Sequence, residues 1–166
     1  MYQHQGPVLD VCWNKVCLTS PFSSLDHVDR YVTLQEGNKI FSGGADNAGR
    51  MFDVNTGQAT QVAQHEAPIK VVGWVDAQSG ILATGSWDKT IKVFPIFFSQ
   101  TFVSHWYWIQ YWDLRTPNPV ATISLPERCY TFDIQYPLMV VGTAERHIQI
   151  FNLTNPNTAY KVRTAS

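Results

Sequence analysis

His65, Ser86 and Asp88 lie close together in the chain and are the residue types of an acyl-transfer triad. In such a triad a histidine takes the proton of a serine nucleophile while a carboxylate holds the ring. A fourth residue argues for a different use. Trp112 closes the same segment, and Asp, His, Ser and Trp together can form a buried hydrogen-bond chain. In that chain Asp88 accepts from the His65 ring, the ring bonds Ser86, and Ser86 accepts from the Trp112 indole N–H. Such a network is stable only when every member is satisfied. The structural chain accounts for all four positions and the triad for three, so the set reads as architecture. No metal-ligand set, phosphate loop or nucleophile motif occurs elsewhere, and neither enzymatic activity nor a cofactor is expected.

The other candidate residues sit in short turns. Trp87 and Lys89 flank Asp88, and Glu127-Arg128 and Glu145-Arg146 form two further polar pairs. An exposed Trp87 beside Lys89 could anchor a peptide; the alternative is that it packs between neighbouring units. Arg128 and Arg146 could approach RNA phosphate or an acidic peptide; the alternative is solvated surface charge. The formal net charge is -1, so whole-chain electrostatics give no reason to expect nucleic-acid binding. Cys12, Cys17 and Cys129 have no metal-type spacing and read as free thiols of a reducing compartment. The first residues lack the basic and apolar regions of a signal peptide. Val93–Ile109 carries no Lys, Arg, Asp or Glu over seventeen residues, but Pro95, Ser99, Gln100, Ser104 and His105 interrupt it. No membrane insertion is expected.

The elements that must position these residues come as repeats. The first copy begins at His4-Gln5-Gly6-Pro7 and continues through Lys39–Asp46 and Arg50–Val54. The second begins at His65-Glu66-Ala67-Pro68 and runs through Ile81–Asp88 to Tyr111-Trp112-Asp113-Leu114. The third, more divergent, holds Glu127–Ile134, Leu138–Glu145 and Ile148–Leu153. Each reads as three short strands, with a fourth in the link to the next copy, as at Ala59–Val62 and Val120–Ile123. Four strands at a period near forty make a blade of a WD-repeat β-propeller. The chain is thus expected to be all-β, about three four-stranded blades. The units are 1–57 with an insert at 16–35, 58–118 with an insert at 93–110, a divergent 119–155, and a tail at 156–166.

The inserts emerge from spacing. Trp13 and Trp74 are 61 residues apart, whereas Asp46 and Asp88 are 42 apart. Asp53 and Asp113 are 60 apart. Removing Val16–Gln35 and Val93–Gln110 restores a regular period. Both segments open with Val and close with Gln, whose codons can carry the GT and AG that bound a spliceosomal intron, and Val16-Cys17 can be read GTATGT. They read as translated retained introns; the alternative is loop insertion at the surface. If Val93-Phe94 continue the strand after Lys92, with Pro95 ending it, Trp112 leaves the hydrogen-bond set.

Several stretches together resemble the Rae/Gle-type mRNA export factors. They are His4–Trp13, Ala63–Lys70, Thr84–Lys92, Leu125-Pro126-Glu127-Arg128-Cys129-Tyr130 and Val140–Arg146. The resemblance covers the chain except the two inserts. It implies a seven-bladed propeller that binds a GLEBS-type segment of a nucleoporin, supports export of polyadenylated RNA, and has RNA or ribonucleoprotein as a further partner. The implied location is the nucleus, at the nuclear envelope and pore, and also the cytoplasm. The Bub-type spindle-checkpoint propeller is similar in its third repeat but lacks the Leu-Pro-Glu-Arg-Cys-Tyr wording. Against the family pattern the chain is expected to start inside the propeller and stop after about three blades. The alternative function is then a truncated, unspliced product without activity.

Overall fold

The computed structural model describes residues 3–14, 37–75, 81–95, 119–155 and 159–164. Twelve strands form three four-stranded antiparallel sheets among these residues. Blade one is β1 (Val8–Trp13), β2 (Lys39–Gly44), β3 (Ala48–Asp53) and β4 (Ala59–Gln64), in that spatial order. Blade two is β5 (Ile69–Val75), β6 (Ile81–Ser86), β7 (Thr90–Pro95) and β8 (Ala121–Ser124). Blade three is β9 (Cys129–Gln135), β10 (Leu138–Thr143), β11 (His147–Asn152) and β12 (Ala159–Thr164). The fold is an all-β propeller fragment of three blades.

Local chemistry explains the repetition. Each middle hairpin turns through a residue of positive φ at the same place: Asn47 at 64°, Lys89 at 66° and Arg146 at 65°. A side-chain carboxylate caps each of the first two turns. Asp46 Oδ1 accepts from Ala48 N at 3.4 Å, and Asp88 Oδ1 accepts from Thr90 N at 2.9 Å. Such Asp-containing turns compete well with regular structure because the side chain satisfies the backbone locally. The strands around them are rich in β-branched and aromatic residues, as in Ile69-Lys70-Val71-Val72-Gly73-Trp74-Val75.

The core lies between blades. Phe41, Ala63, Ile69, Val72, Trp74, Leu82 and Phe94 fill the joint of blades one and two. The joint of blades two and three is filled by residues including Ile91, Ile123, Leu125, Phe132, Met139 and Phe151. A polar tie crosses the first joint, where Asp10 Oδ2 accepts from Val72 N at 2.9 Å.

Two expectations are refined here. The segment 156–166, read as a tail, supplies β12, the fourth strand of blade three. The segment 93–110, read as an insert, gives its first three residues to β7, where Val93 pairs with Ala83, Phe94 with Leu82 and Pro95 with Ile81. The rest of that segment and all of 16–35 lie outside the described residues.

Candidate functional site

Because the strands alternate in direction, the turns β2–β3, β6–β7 and β10–β11 share one rim with the segments that lead into β1, β5 and β9. Backbone hydrogen bonds fasten them in pairs: Ala45 N to Pro7 O at 2.8 Å, Trp87 N to Pro68 O at 3.1 Å, and Ala144 N to Arg128 O at 2.9 Å. This rim holds Trp87, Lys89, Glu127, Arg128, Glu145 and Arg146, the contact residues expected from the sequence.

Beneath the rim of blade two lies the expected hydrogen-bond set, with one member changed. His65 Nδ1 lies 2.8 Å from Asp88 Oδ2. His65 Nε2 meets Thr84 Oγ1 at 2.8 Å, not Ser86. Ser86 Oγ instead donates to Ala67 O at 3.0 Å and accepts from Asp88 N at 3.1 Å, so it braces the turn. Both residues point to the same side of β6, one pair apart, and the ring reaches the deeper one. The signal for Thr84 was present in the first repeat. Ser42 stands four residues before Asp46, as Thr84 does before Asp88, and His4 Nε2 lies 2.9 Å from Ser42 Oγ.

Burial lowers the pKa of His65 despite its bond to Asp88, so the ring is neutral at pH 7. Nδ1–H then donates to Asp88 and Nε2 accepts the Thr84 hydroxyl proton. Burial opposes ionisation of Asp88, but hydrogen bonds from Thr90 and His65 outweigh it and hold the carboxyl below its ordinary value. In blade one, burial likewise opposes ionisation of Asp46, and bonds from His4 and Arg50 hold it far lower. Thr84 is 0% exposed and cannot meet a substrate. The set ties a turn to a strand and to the incoming link; it does not present a nucleophile. The Cys129 thiol is pushed up to about 12, chiefly by burial, which leaves it unreactive.

Trp112 lies outside the described residues. The place in β7 opposite Leu82 is filled by Phe94, 3% exposed. By the same register Phe52 and Phe151 fill that place in blades one and three.

The rim's exposed chemistry is mixed. Trp87 is 37% exposed. Lys89 Nζ donates to Glu127 Oε1 at 2.9 Å, so two of the expected contact residues join blade two to blade three. That bond is the main cause holding the Glu127 carboxyl below its ordinary value. Arg128, Glu145 and Arg146 are exposed, and Glu145 (φ 63°) and Arg146 both have left-handed backbone. The Lys89–Glu127 pair was not foreseen, since the residues are 38 apart in sequence.

No family model matches the chain. Individual proteins do. It is 40% identical over 164 residues, 98% of its length, to the poly(A)+ RNA export protein of Schizosaccharomyces pombe. It is 38% identical over 94% of its length to Protein Rae1 of Drosophila melanogaster, and 41% identical over 96% to the mRNA export factor GLE2 of Chaetomium thermophilum. The chain is a relative of the Rae/Gle-type mRNA export factors. It covers 36%, 34% and 34% of those three proteins, about a third of their length. The backbone of this export-factor relative is also similar to two solved structures at 16% identity. One is the computationally designed Ika4 protein (TM-score 0.65, 99% of this chain, 76% of that one). The other is the designed Ika8 protein (TM-score 0.63, 96% and 37%). These two share the fold alone.

Proposed function

We propose that the chain is a non-enzymatic WD-repeat scaffold of mRNA export. On this reading its turn rim docks a GLEBS-type peptide of a nucleoporin, with RNA or ribonucleoprotein as a further partner. It works in the nucleus, at the nuclear pore and envelope, and also in the cytoplasm. The observation that carries the reading is the 40% identity, over 98% of the chain, to a protein named for poly(A)+ RNA export. The rim adds support. An exposed Trp87 stands beside a lysine–glutamate pair and exposed arginines, the mixture of aromatic anchor and charge that peptide sites use.

The test is capture of the purified chain on an immobilised GLEBS-type peptide. Retention is expected, and Trp87→Ala should weaken it about tenfold or more. A folded chain that passes unretained rejects the peptide-binding reading.

A further inference from the structure

Blades one and three end their third strands with the same device. Asp53 closes β3, and its Oδ1 accepts from Asn55 N at 2.9 Å and from Thr56 N at 3.2 Å. Asn152 closes β11, and its Oδ1 accepts from Thr154 N at 3.0 Å. The residue after each cap bonds back to the strand before it, Val54 N to Asn38 O at 2.9 Å and Leu153 N to Pro137 O at 2.8 Å. Such a cap turns the chain toward its next strand, because the side-chain oxygen takes the first backbone donors beyond the sheet. Five residues then lead from β3 to β4, and six from β11 to β12.

Blade two has a proline where this cap belongs. Pro95 pairs with Ile81 as Asp53 pairs with Lys39 and Asn152 with Leu138. Its ring offers no acceptor. The expected order of residues stands eighteen positions later, in Tyr111-Trp112-Asp113-Leu114-Arg115-Thr116. It matches Met51-Phe52-Asp53-Val54-Asn55-Thr56 of blade one and Ile150-Phe151-Asn152-Leu153-Thr154-Asn155 of blade three: an aromatic, then Asp or Asn, then an aliphatic residue. Seven residues separate Asp113 from Ala121, close to the five and six of the other blades, whereas twenty-five separate Pro95 from Ala121.

We infer that the sequence holds two interchangeable endings for the third strand of blade two. Val93-Phe94-Pro95 fills the place in this chain, and Tyr111-Trp112-Asp113 takes it over when residues 93–110 are absent. The exchange sets Trp112 opposite Leu82 and the cap Asp113 opposite Ile81, while Thr90 to Lys92 keep their pairing with Ser124 to Thr122. The substitute works because Phe94 supplies the buried aromatic volume, at 3% exposure, that Phe151 supplies in blade three. The rim is the same in both forms. β7 leaves it at Thr90, and the exchanged residues lie at the far end of the strand. Chains with and without the segment are therefore two folded forms of one blade, differing at the end away from the rim.

The test is thermal unfolding, with strand content checked by circular dichroism. Deleting residues 93–110 should keep the strand signal and raise the midpoint by about 3 °C, since the cap is regained. In the deleted chain Asp113→Ala should lower the midpoint by about 3 °C, and Trp112→Ala by about 10 °C or more. In the unaltered chain the same two substitutions should shift it by no more than about 1 °C, whereas Phe94→Ala should lower it by about 10 °C or more. A deletion that abolishes the strand signal overturns the proposal. So does a folded deletion variant indifferent to Trp112→Ala and Asp113→Ala. Independently of the deletion, an unaltered chain that loses as much stability from Trp112→Ala as from Phe94→Ala overturns it, because Trp112 would then already hold the place.

Discussion

Blades two and three solve one packing problem in opposite ways. Where blade two has His65, Thr84 and Asp88, the register of blade three places Leu125, Val141 and Glu145. The backbone around them is alike: His65 N bonds Asn47 O at 3.0 Å, and Leu125 N bonds Lys89 O at 2.8 Å. The first two members of each set are buried, His65 at 3% and Thr84 at 0% exposure against Leu125 at 7% and Val141 at 0%, while the turn residue is half-buried Asp88 in one and exposed Glu145 in the other. The blade thus needs volume at these places, and a polar chain is one way of supplying it. The polar version adds direction, since a neutral imidazole with one donor and one acceptor fits only one arrangement of turn, strand and link.

The strongest way to break this comparison is His65→Leu alone. It leaves the Thr84 hydroxyl and the Asp88 carboxylate without the ring, and should cost about 3 kcal/mol in denaturant unfolding. Adding Thr84→Val and Asp88→Glu, which copies blade three, should recover most of that loss, because removing both partners of a buried bond is far cheaper than removing one. If the triple variant is as unstable as the single one, the two blades are not equivalent.

Acid provides a gentler test. His65 is held neutral below its ordinary value of 6.5, so the unfolded chain takes up its proton first. The stability that neutrality contributes is present above pH 6.5 and is lost as pH falls below it. Asp88 is also lowered, from 3.8, so its contribution is present above that value and is lost as pH falls further. Unfolding midpoints of the wild type should therefore drop between pH 7 and 5, and those of the triple variant should drop less. Parallel curves would show that His65 does not drive the change.

The smallest effect is expected from Phe94→Trp. An indole N–H placed opposite Leu82 can donate to Thr84, completing the chain and adding about 1 kcal/mol. Loss of stability instead would mean that this joint has no room for the larger ring.

Much of this was legible in sequence. The strands and the turns at Asp46 and Asp88 follow from alternation and turn chemistry. Thr84 was harder because Ser86 is the same chemical type, on the same strand face and nearer the turn. Only the ring's reach decides between them, and the clue was the matching position of Ser42. β12 was missed because the alternation of Tyr160-Lys161-Val162-Arg163 runs over only four residues and does not stand out without its partner β11. Lys89 and Glu127 meet because adjacent blades share a rim, a relation no local pattern encodes.

One connection has a practical consequence. β7 ends at Pro95 and its sheet neighbour β8 begins at Ala121, with twenty-five residues between them, yet Thr90 to Val93 pair in register with Ser124 to Ala121. Lengthening a flexible closure costs only about 0.6 kcal/mol per doubling. The pairing of β7 with β8 therefore depends little on how many residues separate them, and a reporter sequence added between the two strands should leave Thr90–Val93 in register with Ala121–Ser124.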